Sequence, residues 1–284
     1  MHVAPFFDPQ TSTLTYVVSD PATGDAVIID PVLDYDPNRG TVRQDANRRV
    51  LDHVRTAQLR VHAILETHAH ADHLSGSQGL KEALGAPIWI GAGIRTVQEH
   101  FAQAFDLAIP TDGSQFDRLL VDGEQIALGS LTLTALATPG HTPACMTFLI
   151  GGALFTGDTL FMPDFGTGRC DFPSGSATEL FASIQRLYRS FPDETPVYVG
   201  HDYQPGGRAL AYRTTIGDSK AHNLQVRADT DAAHFVRWRT ERDATLALPT
   251  LLFPSIQVNV DAGRLPAPSA SGARFLKLPL QLLG

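Results

Sequence analysis

Residues 67–73 read Thr-His-Ala-His-Ala-Asp-His, which sets four metal-capable side chains, His68, His70, Asp72 and His73, within six positions. Buried imidazoles and carboxylates at this density cost a few kcal/mol each when unpaired, so the stretch calls for a cation. Imidazole together with carboxylate suits a first-row metal such as zinc or iron. The run Val61-His62-Ala63-Ile64-Leu65 just before it predicts a buried strand, and residues 74–84 just after it predict an amphipathic helix. The cluster then lies at the carboxyl end of a strand, where open α/β sheets place their ligand crevices.

Further strands are expected at residues 14–19, 25–30, 87–90, 119–121, 124–127, 131–136, 146–150, 153–156 and 196–199, and helices at 41–57, 94–104, 176–189 and 231–245. Residues 31–40, rich in Pro, Asp and Gly, read as a loop. Each half of the chain runs strands and then helices. That order fits two sheets packed face to face with helices outside, an α/β protein of αββα sandwich type. Residues 1–245 are expected to form the catalytic domain. Residues 246–284 carry Pro249, Pro254, Pro266, Pro268 and Pro279 and are expected to pack on that domain as a short Pro-rich C-terminal extension.

The chain has 284 residues and a net charge of -8, so it has no global attraction to nucleic acid or to an acidic membrane. An anionic substrate must be held by local basic side chains. No apolar run reaches the ~18 residues of a membrane span, and the first residues lack a signal-peptide pattern. A cytoplasmic protein is expected. Two cysteines, Cys145 and Cys170, do not make a disulfide framework in a chain of this length. Both are read as buried thiols.

Three more segments carry chemistry. His141 stands in Thr138-Pro139-Gly140-His141-Thr142-Pro143, Asp158 closes Phe155-Thr156-Gly157-Asp158, and His201 stands in Val199-Gly200-His201-Asp202-Tyr203. Taken singly, each is a weak signal that more often marks a surface or turn residue. All three follow expected strands, as the first cluster does.

The order HxHxDH, lone His, Gly-Asp, lone His resembles the metallo-β-lactamase superfamily, and the resemblance runs from His68 to His201. It implies the αββα sandwich with a metal site on one edge. In two-metal members one ion takes the positions of His68, His70 and His141, the other those of Asp72, His73 and His201, and Asp158 bridges them. Ile29-Asp30-Pro31-Val32-Leu33, Gly168-Arg169-Cys170-Asp171-Phe172 and His201-Asp202-Tyr203 narrow the resemblance to persulfide dioxygenases, and the stretch 163–175 with the tail to the bacterial β-lactamase-like hydrolase subgroup. That family oxidises glutathione persulfide with O2 and water to sulfite and glutathione, a sulfide-detoxifying oxidoreductase reaction. The resemblance implies one Fe(II) per chain, rather than zinc, on His68, His141 and Asp158. It places His70, Asp72, His73 and His201 around that ion or on a second one, and it suggests a homodimer. Arg169, Arg213, Lys220 and Tyr203 are the candidate substrate contacts, with Arg169 alternatively paired to Asp171 or Asp202 in a structural role. A glyoxalase II-like thioester hydrolase with two metals shares the ligands and Thr156–Phe161, but usually has His-Glu-Tyr where this chain has His201-Asp202-Tyr203.

Overall fold

In the computed structural model, which describes residues 1–280, the first half of the chain runs β1 (His2–Asp8), β2 (Thr13–Ser19), β3 (Asp25–Ile29), β4 (Val32–Asp36), β5 (Thr41–Arg43), α1 (Asp45–Thr56), β6 (Arg60–Leu65), β7 (Leu74–Ser75), α2 (Ser77–Leu84), β8 (Ile88–Gly91), α3 (Ile94–Ala104) and β9 (Arg118–Leu120). The second half runs β10 (Glu124–Leu128), β11 (Leu131–Ala137), β12 (Met146–Ile150), β13 (Ala153–Phe155), α4 (Ala177–Ser190), β14 (Pro196–Tyr198), β15 (Arg213–Thr215), α5 (Ile216–His222), α6 (Ala232–Asp243) and α7 (Leu252–Asn259). Two six-stranded sheets result, in the orders β1-β2-β3-β6-β8-β9 and β10-β11-β12-β13-β14-β15, with a small third sheet β5-β4-β7.

Side chains alternate between the two faces of a strand, and here each face has its own partner. Leu14, Tyr16 and Val18 of β2, Val27 and Ile29 of β3 and Leu65 of β6 pack against Leu133, Phe148, Leu154 and Val197 of the second sheet. Their neighbours Val17, Ala26, Ile28 and Ile64 pack instead with Val50, Val54, Leu80, Val97 and Phe101 of α1, α2 and α3. Strands buried on both faces read as unbroken apolar runs, which is why these were legible. The sheets meet at the start of β2, where Leu14 N–H donates to the Gly200 carbonyl at 2.9 Å. That contact brings the loop after β14 beside the loop after β6.

Several expectations need correction. Residues 31–40 hold β4, which pairs antiparallel with both β5 and β7. The helix expected over 41–57 begins only at Asp45, because Thr41–Arg43 is drawn into β5. The helix expected over 74–84 begins at Ser77, after Leu74 and Ser75 pair with β4. β1 was missed: it is an edge strand, the place where its Pro5 does not interrupt a ladder. The Pro-rich tail contains α7, whose Pro254 lies in the first turn, where its missing N–H donor would have had no intrahelical acceptor. Ile256 and Val260 of that region join the core cluster beneath the first sheet. Among the described residues no helix is long and apolar enough to cross a membrane.

Candidate metal centre

Each expected ligand lies just beyond a strand. The loop 66–73 leaves β6 and is pinned at once by Asp30, which is 2% exposed. The Asp30 carboxylate accepts the Thr67 N–H (2.7 Å) and the Thr67 hydroxyl (2.8 Å), and Thr67 Oγ1 lies 3.0 Å from His68 Nδ1. Gly157, with φ 48°, lets the loop before Asp158 press on Thr67. A Cβ there would stand 2.5 Å from Thr67 Oγ1. Gly140, with φ 141°, plays the same part before His141, against the backbone of Leu180 on α4.

His68, His141 and Asp158 present ligand atoms within 4.8 Å of one another, and so do His70, Asp72 and His73. Asp158 joins the two groups: its Oδ2 is 3.6 Å from His141 Nε2 and its Oδ1 is 3.3 Å from His201 Nε2. His201 Nε2 is also 3.5 Å from Asp72 Oδ2. The structure therefore brings all seven expected ligands to one place. His141 Nδ1 lies 2.6 Å from the Arg169 carbonyl, which makes that nitrogen the donor and leaves Nε2 to bind an ion. Thr13 Oγ1 stands 3.5 Å from Nδ1 of both His73 and His201.

Burial, aided by the neighbouring imidazoles of His70 and His141, holds the His68 pKa well below its ordinary value, so the ring is neutral. Burial also opposes a charge on His70, but Asp30 and Glu66 outweigh it and raise that pKa well above the ordinary value. Both carboxylates face Nε2, at 3.1 and 3.4 Å, in ion-pair contacts rather than aligned hydrogen bonds. Nδ1 remains for an ion. Asp72 is kept ionised by His201 and His73 against the opposing effect of burial.

Do these residues fit a metal? Among the described residues, the buried atoms without a hydrogen-bond partner include His68 Nε2, His70 Nδ1, Asp72 Oδ2, His73 Nε2 and Asp158 Oδ1. Unpaired buried polar groups are rare and costly. Their concentration on five adjacent ligands is the arrangement a bound cation satisfies, so the donor set fits.

A cleft of about 230 Å3 opens over these ligands. Its walls include Asp72, His141, Asp158, Phe161, Phe165, Arg169, Tyr203, Gln225, Arg239, Arg242, Leu246 and Pro249. Tyr203 stacks on His201, with ring centroids 5.4 Å apart and planes 12° apart. Tyr203 is 43% exposed, and desolvation against the cleft wall, then the Asp158 and Asp72 carboxylates, raises the phenol's pKa above its ordinary value and keeps it a donor. Arg169 forks onto Asp171 and gives Nη1 to the Ala247 carbonyl (2.7 Å), so it ties the tail to the cleft wall. Asp202 instead binds Arg208 and the Ala211 N–H, each at 2.7 Å. Lys220 and Arg213 do not line the cleft. Lys220 pairs with Asp193 at 2.6 Å, and Arg213 lies 5.9 Å over the Tyr198 ring. The helix α5 and strand β15 that carry them follow β14 along the far edge of the second sheet, which the sequence did not reveal. Arg239 and Arg242 reach the cleft from α6 and were missed, as were Asp30, Glu66 and Thr13 behind the ligands. Burial pushes the Cys145 thiol up to about 12 and raises Cys170 too, so neither is a thiolate at neutral pH.

Residues 8–201 match the model of the metallo-beta-lactamase superfamily, and the chain belongs to it. The chain is 47% identical to a probable metallo-hydrolase of Burkholderia pseudomallei over the full length of both. It is 43% identical to glyoxylase B2 of Dictyostelium discoideum, over 98% of this chain and 96% of that one. It is 33% identical to the mitochondrial persulfide dioxygenase ETHE1 of Homo sapiens over 69% of this chain, which corresponds to 66% of that protein's length. Among solved structures it resembles ETHE1 from Myxococcus xanthus, with TM-score 0.75 and 31% identity over 93% of this chain and 100% of that one.

Proposed function

We propose that this protein is a persulfide dioxygenase that converts glutathione persulfide, O2 and water to glutathione and sulfite. The observation that carries the reading is the trio His68, His141 and Asp158, two imidazoles and one carboxylate converging on a common point. This donor set is the facial arrangement of non-haem iron oxygenases. A ferrous ion held by His68, His141 and Asp158 would bring the persulfide and O2 together and relay electrons from the sulfur, which is oxidised, to O2, which is reduced. The chain does the rest. The Arg169 carbonyl fixes the His141 tautomer, Phe161 and Phe165 give the cleft an apolar wall that restricts water, and the neutral Tyr203 hydroxyl is a donor beside the reacting sulfur.

The carboxylates of glutathione are assigned to the α6 wall in place of Lys220 and Arg213. Arg242 is exposed, and its guanidinium donates to Thr245 Oγ1 at 3.4 Å. Arg239 is buried, and its Nε has no partner among the described residues. A guanidinium is suited to a carboxylate by its fork of N–H donors.

A second reading, thioester hydrolysis at two metals, draws on Asp72, His73 and His201, which complete a second donor set around Asp158. One experiment separates the two. Protein loaded anaerobically with ferrous iron is expected to consume O2 with glutathione persulfide and to release sulfite. Loss of the Arg242 charge-assisted contact, ~1.5–3 kcal/mol, is expected to raise KM roughly 10–100-fold in Arg242→Ala. Hydrolysis of S-lactoylglutathione without O2 uptake overturns the dioxygenase reading.

A further inference from the structure

The helix α7 reaches the ligand loop through one side chain. Asn259, at its last position, is 4% exposed. Its Nδ2 donates to the His70 carbonyl at 2.8 Å and to the His73 carbonyl at 2.7 Å, and its Oδ1 accepts the Ser75 N–H at 2.8 Å. Two of these bonds fall on the loop that carries His68, His70, Asp72 and His73, and the third falls on β7, which follows it directly. The loop is buried and lies between β6 and β7 outside any ladder. Its backbone groups need partners from elsewhere, since a buried orphan carbonyl or N–H is costly. The amide of Asn259 supplies them across 184 to 189 positions of sequence.

The helix that carries Asn259 is itself firmly seated. Ile256 and Val260 are wholly buried in the core under the first sheet. Gln98 of α3 donates to the Val260 carbonyl at 2.8 Å, and Gln78 of α2 donates to the Ala262 carbonyl at 2.9 Å. Gln257 holds the tail rather than the helix, exchanging hydrogen bonds with the backbone of Lys277, both at 2.8 Å. Glu66, at the start of the loop, accepts the hydroxyls of Ser75 and Ser77 just beyond its end. The ligand loop is thus held by a carboxylate that joins its two ends and by an amide from α7. That helix lies outside the residues 8–201 that match the superfamily model.

We propose that Asn259 is a positioning residue of the metal centre, through which α7 fixes the backbone of the ligand loop and so sets how tightly the ion is held. The inference rests on the ligand set above and not on the reaction assigned to it. Ligand directions matter on the scale of about 0.5 Å, and outer partners of metal ligands are typically worth ~10–100-fold in affinity. Asn259→Ala removes all three bonds. Asn259→Asp keeps the volume and the acceptor for Ser75, removes both donors, and sets an oxygen against two carbonyls.

The test uses the full chain loaded with ferrous iron and follows metal transfer to a chromophoric chelator. Both Asn259 variants are expected to lose iron about 10–100-fold faster than the wild type. The spectrum of the iron–nitric oxide adduct is expected to shift, a change that general loosening of the fold does not produce. Gln257→Ala, which cuts the tie from α7 to the tail without touching the loop, is expected to release iron at the wild-type rate. The inference is overturned if folded Asn259 variants hold iron as the wild type does, or if Gln257→Ala releases it equally fast. Asn259→Asp decides the matter should the alanine variant fail to fold. If the wild type consumes no O2, the dioxygenase reading fails, while the release rates, measured with zinc as well, still decide the role of Asn259.

Discussion

Asp158→Ala is expected to give a folded protein that binds no iron and consumes no O2. Asp158 is the only carboxylate of its trio, and Nε2 of His141 and His68 lie 3.6 and 4.0 Å from its Oδ2. Without it two imidazoles remain to hold a dication, and its charge is lost from a site where water screens little. His201→Ala makes the contrasting case. His201 Nε2 faces Asp158 Oδ1 and Asp72 Oδ2 at 3.3 and 3.5 Å, on the far side of Asp158 from the trio. Iron is expected to stay largely in place in that variant. Metal content of the purified variants, measured against protein concentration, reads both outcomes. Loss of half the metal in His201→Ala identifies a binuclear site and moves the balance to hydrolysis.

Asp243→Ala is expected to destabilise the protein by about 3–5 kcal/mol, the usual consequence of leaving one member of a buried ion pair alone. Asp243 and its partner Arg239 are each 4% exposed at the side chain. Asp243 also accepts the Cys170 N–H at 2.7 Å. Removing the carboxylate strands a guanidinium in the protein interior and frees the backbone next to Arg169, whose carbonyl fixes His141. A fall in Tm of roughly 6–20 °C is expected, at about 2–4 °C per kcal/mol for a protein approaching this size. The pair Arg239→Met with Asp243→Leu is expected to recover much of that loss, because two well-packed apolar side chains avoid burying either charge. Thermal melts of the two single variants and the double variant close the cycle. A Tm change under about 2 °C in Asp243→Ala rules out the buried pair as a support of this wall. The double variant is expected to remain impaired in substrate binding even where its stability returns, since Arg239 lines the cleft.

The ligands were legible because each sits at the end of an apolar run and beside a small or φ-permissive residue. Ala69 and Ala71 separate the histidines of the first cluster, Gly140 precedes His141, Gly157 precedes Asp158, and Gly200 precedes His201. These residues let four strand ends, those of β6, β11, β13 and β14, converge without clashes. The strands β2, β3 and β6 were equally plain, since both of their faces are buried. Less was visible where pairing is short or lies at an edge. Thr41–Arg43 has three residues, Leu74–Ser75 has two, and neither length carries a period that can be told from a helix terminus. The tail misled for a related reason. Proline marks a break in most contexts, yet Pro254 occupies a helix first turn where its missing N–H is of no consequence.

The basic residues show the limit most sharply. Lys220 and Arg213 follow His201 closely in sequence, but the edge strand β15 and helix α5 carry them to Asp193 and to Tyr198. Arg239 and Arg242 come some forty residues after the last ligand and reach the cleft because α6 packs against α4.

Read alone, the chain of residues determined the superfamily, the sandwich and seven candidate donor residues, because metal ligation demands particular side chains at strand ends and those leave a local mark. Only the tertiary structure decided which cations face the cleft, that Asp30, Glu66 and Thr13 stand behind the ligands, and that Asn259 braces their loop. The physical reason is that such contacts join groups as many as 189 positions apart. A buried amide or guanidinium is chosen by what it packs against in space, and no short-range pattern records that choice.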